Sequence, residues 1–327
     1  GQTAQWQLTQ LEAQLGGGRI QGQGQLSEAG WTGQIQVTAV QAEQLHTGLS
    51  KASMNGQIQA QSSPGQAVSF MAALSAAPGH SKNPSGMHWD RLQLQGRWQD
   101  ARWDIQALDL QVAEAHLQGQ FTLTPAQATA QGELTLKMPG LYAQAQGLLA
   151  PQQGQGHADI RISDATLSMG WLRRWPGWAK QLQAWQAKGT GELKVQWQGG
   201  YAQPQTPIHL SAALPRLSYQ MPGGEPWQVQ QAQIGVQGPL SALQAQLETR
   251  LQHGAQSLQW QSRWSATSPQ AGHAHWQGRL DSASVIITAP AGKSFSGTAP
   301  TTRGDMTWKA QLENPVAWQW AGVGAHR

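Results

Sequence analysis

Apolar and polar residues alternate with a period of two along most of this chain. Leu193, Val195 and Trp197 alternate with Lys194, Gln196 and Gln198, and Leu134, Leu136 and Met138 with Thr135 and Lys137. Leu117, Phe121 and Leu123 do the same through Gly119. Successive side chains of a strand point to opposite faces, so this beat predicts half-buried strands with one dry and one wet face. The pattern restarts repeatedly: Trp6 and Leu8, then Ile20 to Leu26, then Trp31, Ile35 and Val37, then Trp89 to Trp98, Trp103 to Val112 and onward. About 20 such strands at ~4.8 Å spacing predict a sheet on the order of 100 Å across its strands. The phrase apolar-Gln-Gly recurs at 94–96, 117–119, 236–238 and 276–278 with irregular spacing, a degenerate repeat and not a fixed-period solenoid.

Loops are expected at 76–87, 218–227 and 289–304, where Pro, Gly, Ser, Asn and Thr concentrate. Residues 240–251 fit either period, because Leu240, Leu243, Leu247 and Leu251 suit a helix while Leu243, Ala245, Leu247, Thr249 and Leu251 alternate. Their strand-like neighbours favour a strand. One segment has helical period: Trp171, Trp175, Trp178, Leu182 and Trp185 are spaced by four and three. Pro176-Gly177 within it predicts a turn before and a helix after. Its indole stripe suits packing on the sheet or plugging its end; a membrane-surface helix with interfacial Trp is the alternative. The organisation expected is a groove segment over 1–170, a short helical insert over 171–187, and a second groove segment over 188–327.

Composition narrows the picture. Only 12% of the 327 residues are charged, about half the usual share, and Gln takes the solvent-facing positions. The net charge of +4 comes without a basic cluster, so no nucleic-acid footprint is present. The chain has no Cys, which excludes disulfides and thiolate metal sites and suits a periplasmic protein. No run of 18 apolar residues occurs. The chain opens and closes inside strand patterns, so it reads as a piece of a longer protein whose other parts could carry an anchor.

Catalytic chemistry is sparse, and no cofactor or metal is expected. Asp100, Asp104 and Asp109 are the one close acidic group, and a solvated strand surface explains them better than general acid-base work. His273 and His275 lack a third ligand nearby. Ala289-Pro290-Ala291-Gly292-Lys293-Ser294 ends like a phosphate loop, but Ile287 stands where the first Gly is required. Arg303-Gly304-Asp305 is too short to carry weight. The chain is therefore expected not to be an enzyme.

The stretch Trp175-Pro176-Gly177-Trp178, Leu182, Gln183, Trp185, followed by Lys188-Gly189-Thr190-Gly191-Glu192-Leu193-Lys194-Val195-Gln196-Trp197-Gln198-Gly199-Gly200 and Pro204, resembles the TamB family of AsmA-like envelope proteins. There a short helical segment with Pro is followed by a strand of the form G-x-L-x-x-x-x-x-G and a turn. A looser likeness covers Leu15 to Ile58, and the general texture extends over the whole chain. The resemblance implies an all-β fold: an elongated antiparallel sheet rolled into a U-shaped groove, or β-taco, with an apolar inner face. It further implies a periplasmic protein anchored in the inner membrane, an outer-membrane assembly barrel (TamA) as partner, and phospholipid transport in outer-membrane biogenesis.

The expected lining is Leu94, Leu117, Phe121, Leu134, Leu136, Ile160, Ile162, Leu193, Val195, Trp197, Val236, Leu258 and Trp260, with phospholipid acyl chains as the guest. The competing expectation is that these residues form the closed core of a β-sandwich or barrel. Two other function classes stay open: a structural or adhesive scaffold that uses the three loops and moves no lipid, and an enzyme, which would show a carboxylate or His cluster once the fold brings distant residues together.

Overall fold

The computed structural model describes residues 5–41, 44, 53–76, 88–175, 178–182, 186–220, 226–268, 275–290 and 305–321. Among the described residues the fold is all-β: nineteen strands of antiparallel sheet that does not close. The strands are β1 (Trp6–Leu15), β2 (Gly18–Ser27), β3 (Gly30–Gln41), β4 (Ser53–Ser62), β5 (Val68–Ala76), β6 (Trp89–Gln99), β7 (Arg102–Val112), β8 (Ala115–Thr124), β9 (Thr129–Met138), β10 (Leu141–Leu149), β11 (Gly154–Ile162), β12 (Gln186–Gln198), β13 (Pro207–Gln220), β14 (Trp227–Pro239), β15 (Ala242–His253), β16 (Gln256–Thr267), β17 (His275–Pro290), β18 (Asp305–Gln311) and β19 (Val316–Ala321). Two short helices, α1 (Ala165–Arg173) and α2 (Ala179–Leu182), lie between β11 and β12.

The chain divides into two compact units: unit 1 is Gly1–Leu148 with Gly170–Gln183, and unit 2 is Leu149–Met169 with Ala184–Arg327. In unit 1 each strand from β1 to β9 pairs with the next in a plain meander. In unit 2 the meander runs from β11 to β17; the second half of β17 then pairs with β18 and its first half with β19. The ambiguous segment 240–251 falls mostly in β15, because its partners β14 and β16 supply a ladder on both sides.

Tight turns explain the short returns. The β1–β2 turn uses Gly16 and Gly17 at φ +56° and +68°, a conformation suited to the twist of a two-residue hairpin. Two other hairpins use side-chain-bearing residues at positive φ: Asp100-Ala101 between β6 and β7, and Ala113-Glu114 between β7 and β8. Such residues cost about 1 kcal/mol or more each unless the surroundings hold them. Pro215, inside β13, lacks an N–H to donate. The ladder makes room for it: Pro215 forms no register pair with either neighbour, a register shift lies beside it in the β12 pairing, and the β14 pairing passes over Pro215 and Arg216 without a change of register.

The helical segment differs from expectation. A helix precedes Pro176, and among the described residues one helical turn follows it. Asp164 starts α1, its Oδ1 accepting the N–H groups of Thr166 at 2.8 Å and Leu167 at 3.2 Å, which satisfies two orphan donors. That cap was legible as an Asp just before an apolar run, ahead of the first Trp of the stripe. Pro176 then disfavours helical backbone at the residue before it. The interiors of the three expected loops, 77–87, 221–225 and 291–304, lie outside the described residues, as do Trp185, His273 and the Arg303-Gly304 pair.

Candidate functional site: an uncovered apolar face

Registers convert the sequence beat into continuous rows, because directly opposed residues of antiparallel strands share a face. In unit 1 one row runs Leu11, Gly22, Ile35, Ile58, Ala72, Leu94, Leu108, Gly119, Leu134 from β1 to β9. The next row is Ala13, Ile20, Val37, Gly56, Leu74, Leu92, Leu110, Leu117, Leu136, and the one on the other side is Leu8, Gly24, Gly33, Ala60, Phe70, Gly96, Ile105, Phe121, Gly132. No polar side chain interrupts these three rows. The opposite face carries rows such as Glu12, Gln21, Gln36, Gln57, Ala73, Gln93, Asp109, Gln118, Thr135.

Unit 2 repeats the arrangement. Ala158, Val195, Leu210, Val236, Ala245, Trp264 and Leu280 form one row, and Ile160, Leu193, Ala212, Ile234 and Leu247 another, which meets the buried Ser262 in β16. Leu217, Val229, Leu251, Leu258, Ile287 and Trp308 form a third. All the expected lining residues of unit 1 lie on its apolar face, and those of unit 2 on the corresponding face of that unit. The alternation that picked them out also marks Leu92, Leu108, Leu110, Leu210 and Leu247, which belong to the same rows.

This face lacks a conventional core. Among the described residues Val40 is the one large side chain that is fully enclosed, and the other buried hydrophobics are mostly alanines. Leu94, Leu117, Leu136, Leu193 and Val195 are half-buried, Leu134 is 37% exposed, and Leu11 on the outermost strand is 56% exposed. Glycine accounts for the half-burial. A Cβ on Gly96 would lie 2.7 Å from the Phe70 ring, one on Gly119 2.7 Å from Leu134 Cδ2, and one on Gly191 2.7 Å from Leu214 Cδ2. Large side chains lie flat across glycines of the next strand, so one layer covers part of its own apolar surface.

The hollows within each unit are bordered chiefly by polar-face residues. In unit 1 a hollow of about 680 Å³ is bordered by Gln23, Gln34, Gln59, Gln95 and Arg97; in unit 2 one of about 1070 Å³ is bordered by Lys194, His209, Gln246 and Arg263. Glutamine amides tie this face together, as where Gln23 Nε2 donates to Gln34 Oε1 at 3.2 Å and Gln120 Nε2 to the Glu133 carboxylate at 2.8 Å.

The helical stripe is divided between burial and exposure. Trp171 is buried against Ala113 and Ala115, with Val112, Met138 and Leu172 around it, and its Nε1–H donates to Ala113 O at 2.5 Å. Arg174 reaches Glu114 at 2.6 Å from the same side. Trp175 stacks obliquely on Trp171 at 5.7 Å and stays exposed, as does Trp178, and Leu182 is half-buried. Trp171 thus closes one end of unit 1, over the β7–β8 turn.

The acidic residues are separated. Asp100 is in a turn, Asp104 accepts from Thr122 Oγ1 at 3.1 Å, and Asp109 anchors a polar cluster that adjacent-residue reading had no means to find. Arg91 Nη2 is 3.0 Å from Asp109 Oδ1, while His116 Nε2 and Gln118 Nε2 are each 3.1 Å from Oδ2. These residues sit on three adjacent strands and meet only through register. Burial raises the Asp109 pKa, but hydrogen bonds from Gln118, His116 and Arg91, with the Arg91 charge, outweigh it and hold the carboxyl below its usual value. A depressed carboxyl stabilises the fold above its unfolded-state pKa of about 3.9, and that contribution is lost as pH falls through the lower folded value. Asp109→Asn should therefore be less stable than the parent at neutral pH and should lose less stability on acidification, read from urea midpoints at pH 7 and in the acid range.

Among the described residues no group of three or more His, Asp or Glu is placed to hold a metal ion, and no helix is long and apolar enough to cross a membrane. No protein-family model, curated protein or solved structure matches the chain.

Proposed function

We propose that the apolar face of each unit is a path for phospholipid acyl chains, and that the chain is part of a TamB-like, AsmA-like envelope protein that conducts lipid toward the outer membrane. The observation that carries this reading is the set of apolar rows across the strands of each unit, unbroken in unit 1 and interrupted in unit 2 at Thr249 and Ser262, on a sheet that does not close. A sheet face of this kind ordinarily packs on a second layer. An acyl chain gains about 0.8 kcal/mol per buried CH₂, so a ~16-carbon tail crossing water bare would face a barrier of roughly 12 kcal/mol. A shelf of Leu, Ile, Val and Gly repeated strand after strand removes part of that barrier at every step. Because it holds few polar anchors, it offers no position where a lipid would be trapped. A β-taco curvature around the guest, a periplasmic setting with an inner-membrane anchor, and a TamA-like barrel partner belong to this proposal through the family resemblance.

Native mass spectrometry of the purified chain should detect bound phospholipid. Leu193→Asp, in the middle of a unit 2 row, should keep the strand signal in circular dichroism while bound lipid falls severalfold. A lipid-free parent, or a Leu193→Asp chain that unfolds as a core variant would, overturns the reading and leaves a scaffold as the function.

A further inference from the structure

The outermost apolar row of unit 1 differs in composition from those behind it. At the strand ends beside the β2–β3, β6–β7 and β8–β9 turns, Trp6 opposes Leu26, Leu26 opposes Trp31, Trp98 opposes Trp103 and Trp103 opposes Leu123. The deeper rows contain Leu, Ile, Val, Ala, Phe and Gly but no Trp. All six rim side chains are exposed, from 72% at Trp6 and 42% at Trp98 and Trp103 to 37% at Leu123. The row reaches from β1 to β8, roughly 35 Å at ~4.8 Å per strand, with Ser62 of β4 opposite Trp31 and Val68 of β5 opposite Trp98 between its two aromatic stretches. The opposite end of β7 and β8 is where Trp171 is covered and hydrogen-bonded. The indole N–H groups of the four rim tryptophans have no partner among the described residues.

We propose that this rim seats at the surface of a lipid bilayer, the indoles at headgroup level and the apolar rows facing the acyl region. The inference rests on the reading of the apolar face as a lipid path and adds where lipid enters it. Three observations select a bilayer over a protein partner. Trp at the rim with aliphatic residues behind it matches the polarity gradient of a membrane interface, where an indole has an apolar body and a polar N–H. The aromatics form a line along an edge, whereas protein-binding hot spots cluster centrally inside a polar ring. The neighbouring charges are of both signs (Glu28, Arg97, Asp100, Arg102, Asp104) with no cationic cluster, so attraction to anionic headgroups is not the driving force.

The test is cosedimentation of the full chain with vesicles of phosphatidylcholine alone and of phosphatidylcholine with an equal part of phosphatidylglycerol. Comparable partition to both, little changed by salt, is expected. Trp31→Ala with Trp98→Ala should weaken partition by about tenfold or more, while Trp31→Phe with Trp98→Phe should lose less. Lipids brominated near the top of the acyl chain should quench parent fluorescence more than those brominated near its end. Partition that needs phosphatidylglycerol and vanishes in salt, or alanine variants that bind like the parent, overturns the proposal. Leu193→Asp separates the two readings: it should partition normally while losing bound lipid, so a chain that holds lipid but ignores vesicles refutes the rim alone.

Discussion

Trp171→Ala should be among the most destabilising single changes in unit 1, costing about 3–5 kcal/mol, the range for removing a buried large aromatic. The indole does three things at once: it fills the space over Ala113 and Ala115, it supplies the donor for Ala113 O, and it anchors α1. Ala113 and Glu114 are held at φ +47° and +70°, so the turn beneath the indole is strained and depends on that cover. Trp171→Phe should separate the contributions. The ring would keep most of the packing, and loss of the N–H would leave a buried carbonyl unpaired at about 1–3 kcal/mol. Urea titration followed by circular dichroism measures both variants. A Trp171→Ala midpoint equal to the parent's would mean that α1 contributes nothing to holding this end of the sheet.

Gly132→Val should be at least as damaging, for a different reason. Gly132 has φ +152°, and a Cβ built there would lie 2.2 Å from Gln120 O and 2.6 Å from Phe121 Cβ. The clash is mainly with backbone and with a Cβ, so no side-chain rotation relieves it, and β8 would have to part from β9. In a single-layer meander each strand depends mainly on its neighbours, so stability is nearly a sum of local terms. Breaking one pairing should therefore cost about 4 kcal/mol or more and should split unfolding into separate steps. Hydrogen exchange should show β8 and β9 losing protection while β2 to β4 keep theirs. Uniform loss across unit 1 would show instead that its strands melt as a single cooperative block.

These two positions also mark how much the sequence makes legible. Gly132 is visible in the string only as a glycine at an inward position of an alternating strand, and its need for glycine follows from Phe121 standing opposite. Trp171 is visible as the start of a helical stripe. That it is the covered member of the stripe, and that the helix begins six residues earlier at Ala165, follows from the Asp164 cap and from the approach of the β7–β8 turn. The Asp109 cluster left no signal at all, because Arg91, Asp109 and His116 are distant in the chain and converge through register.

Strands, faces and membership of the apolar rows are properties of local periodicity, since a side chain's face is set by its parity within its own strand. The sequence alone therefore determined the all-β class, the glutamine face and the place of the residues from Leu94 to Trp260 on the apolar face of each unit. Whether the sheet closes on itself, how far glycines let it cover its own surface, and which tryptophans end up buried or bare depend on pairings between residues far apart. Those follow from strand register and bulges, which only the tertiary structure decides, because each is set by what stands opposite and not by what comes next in the chain.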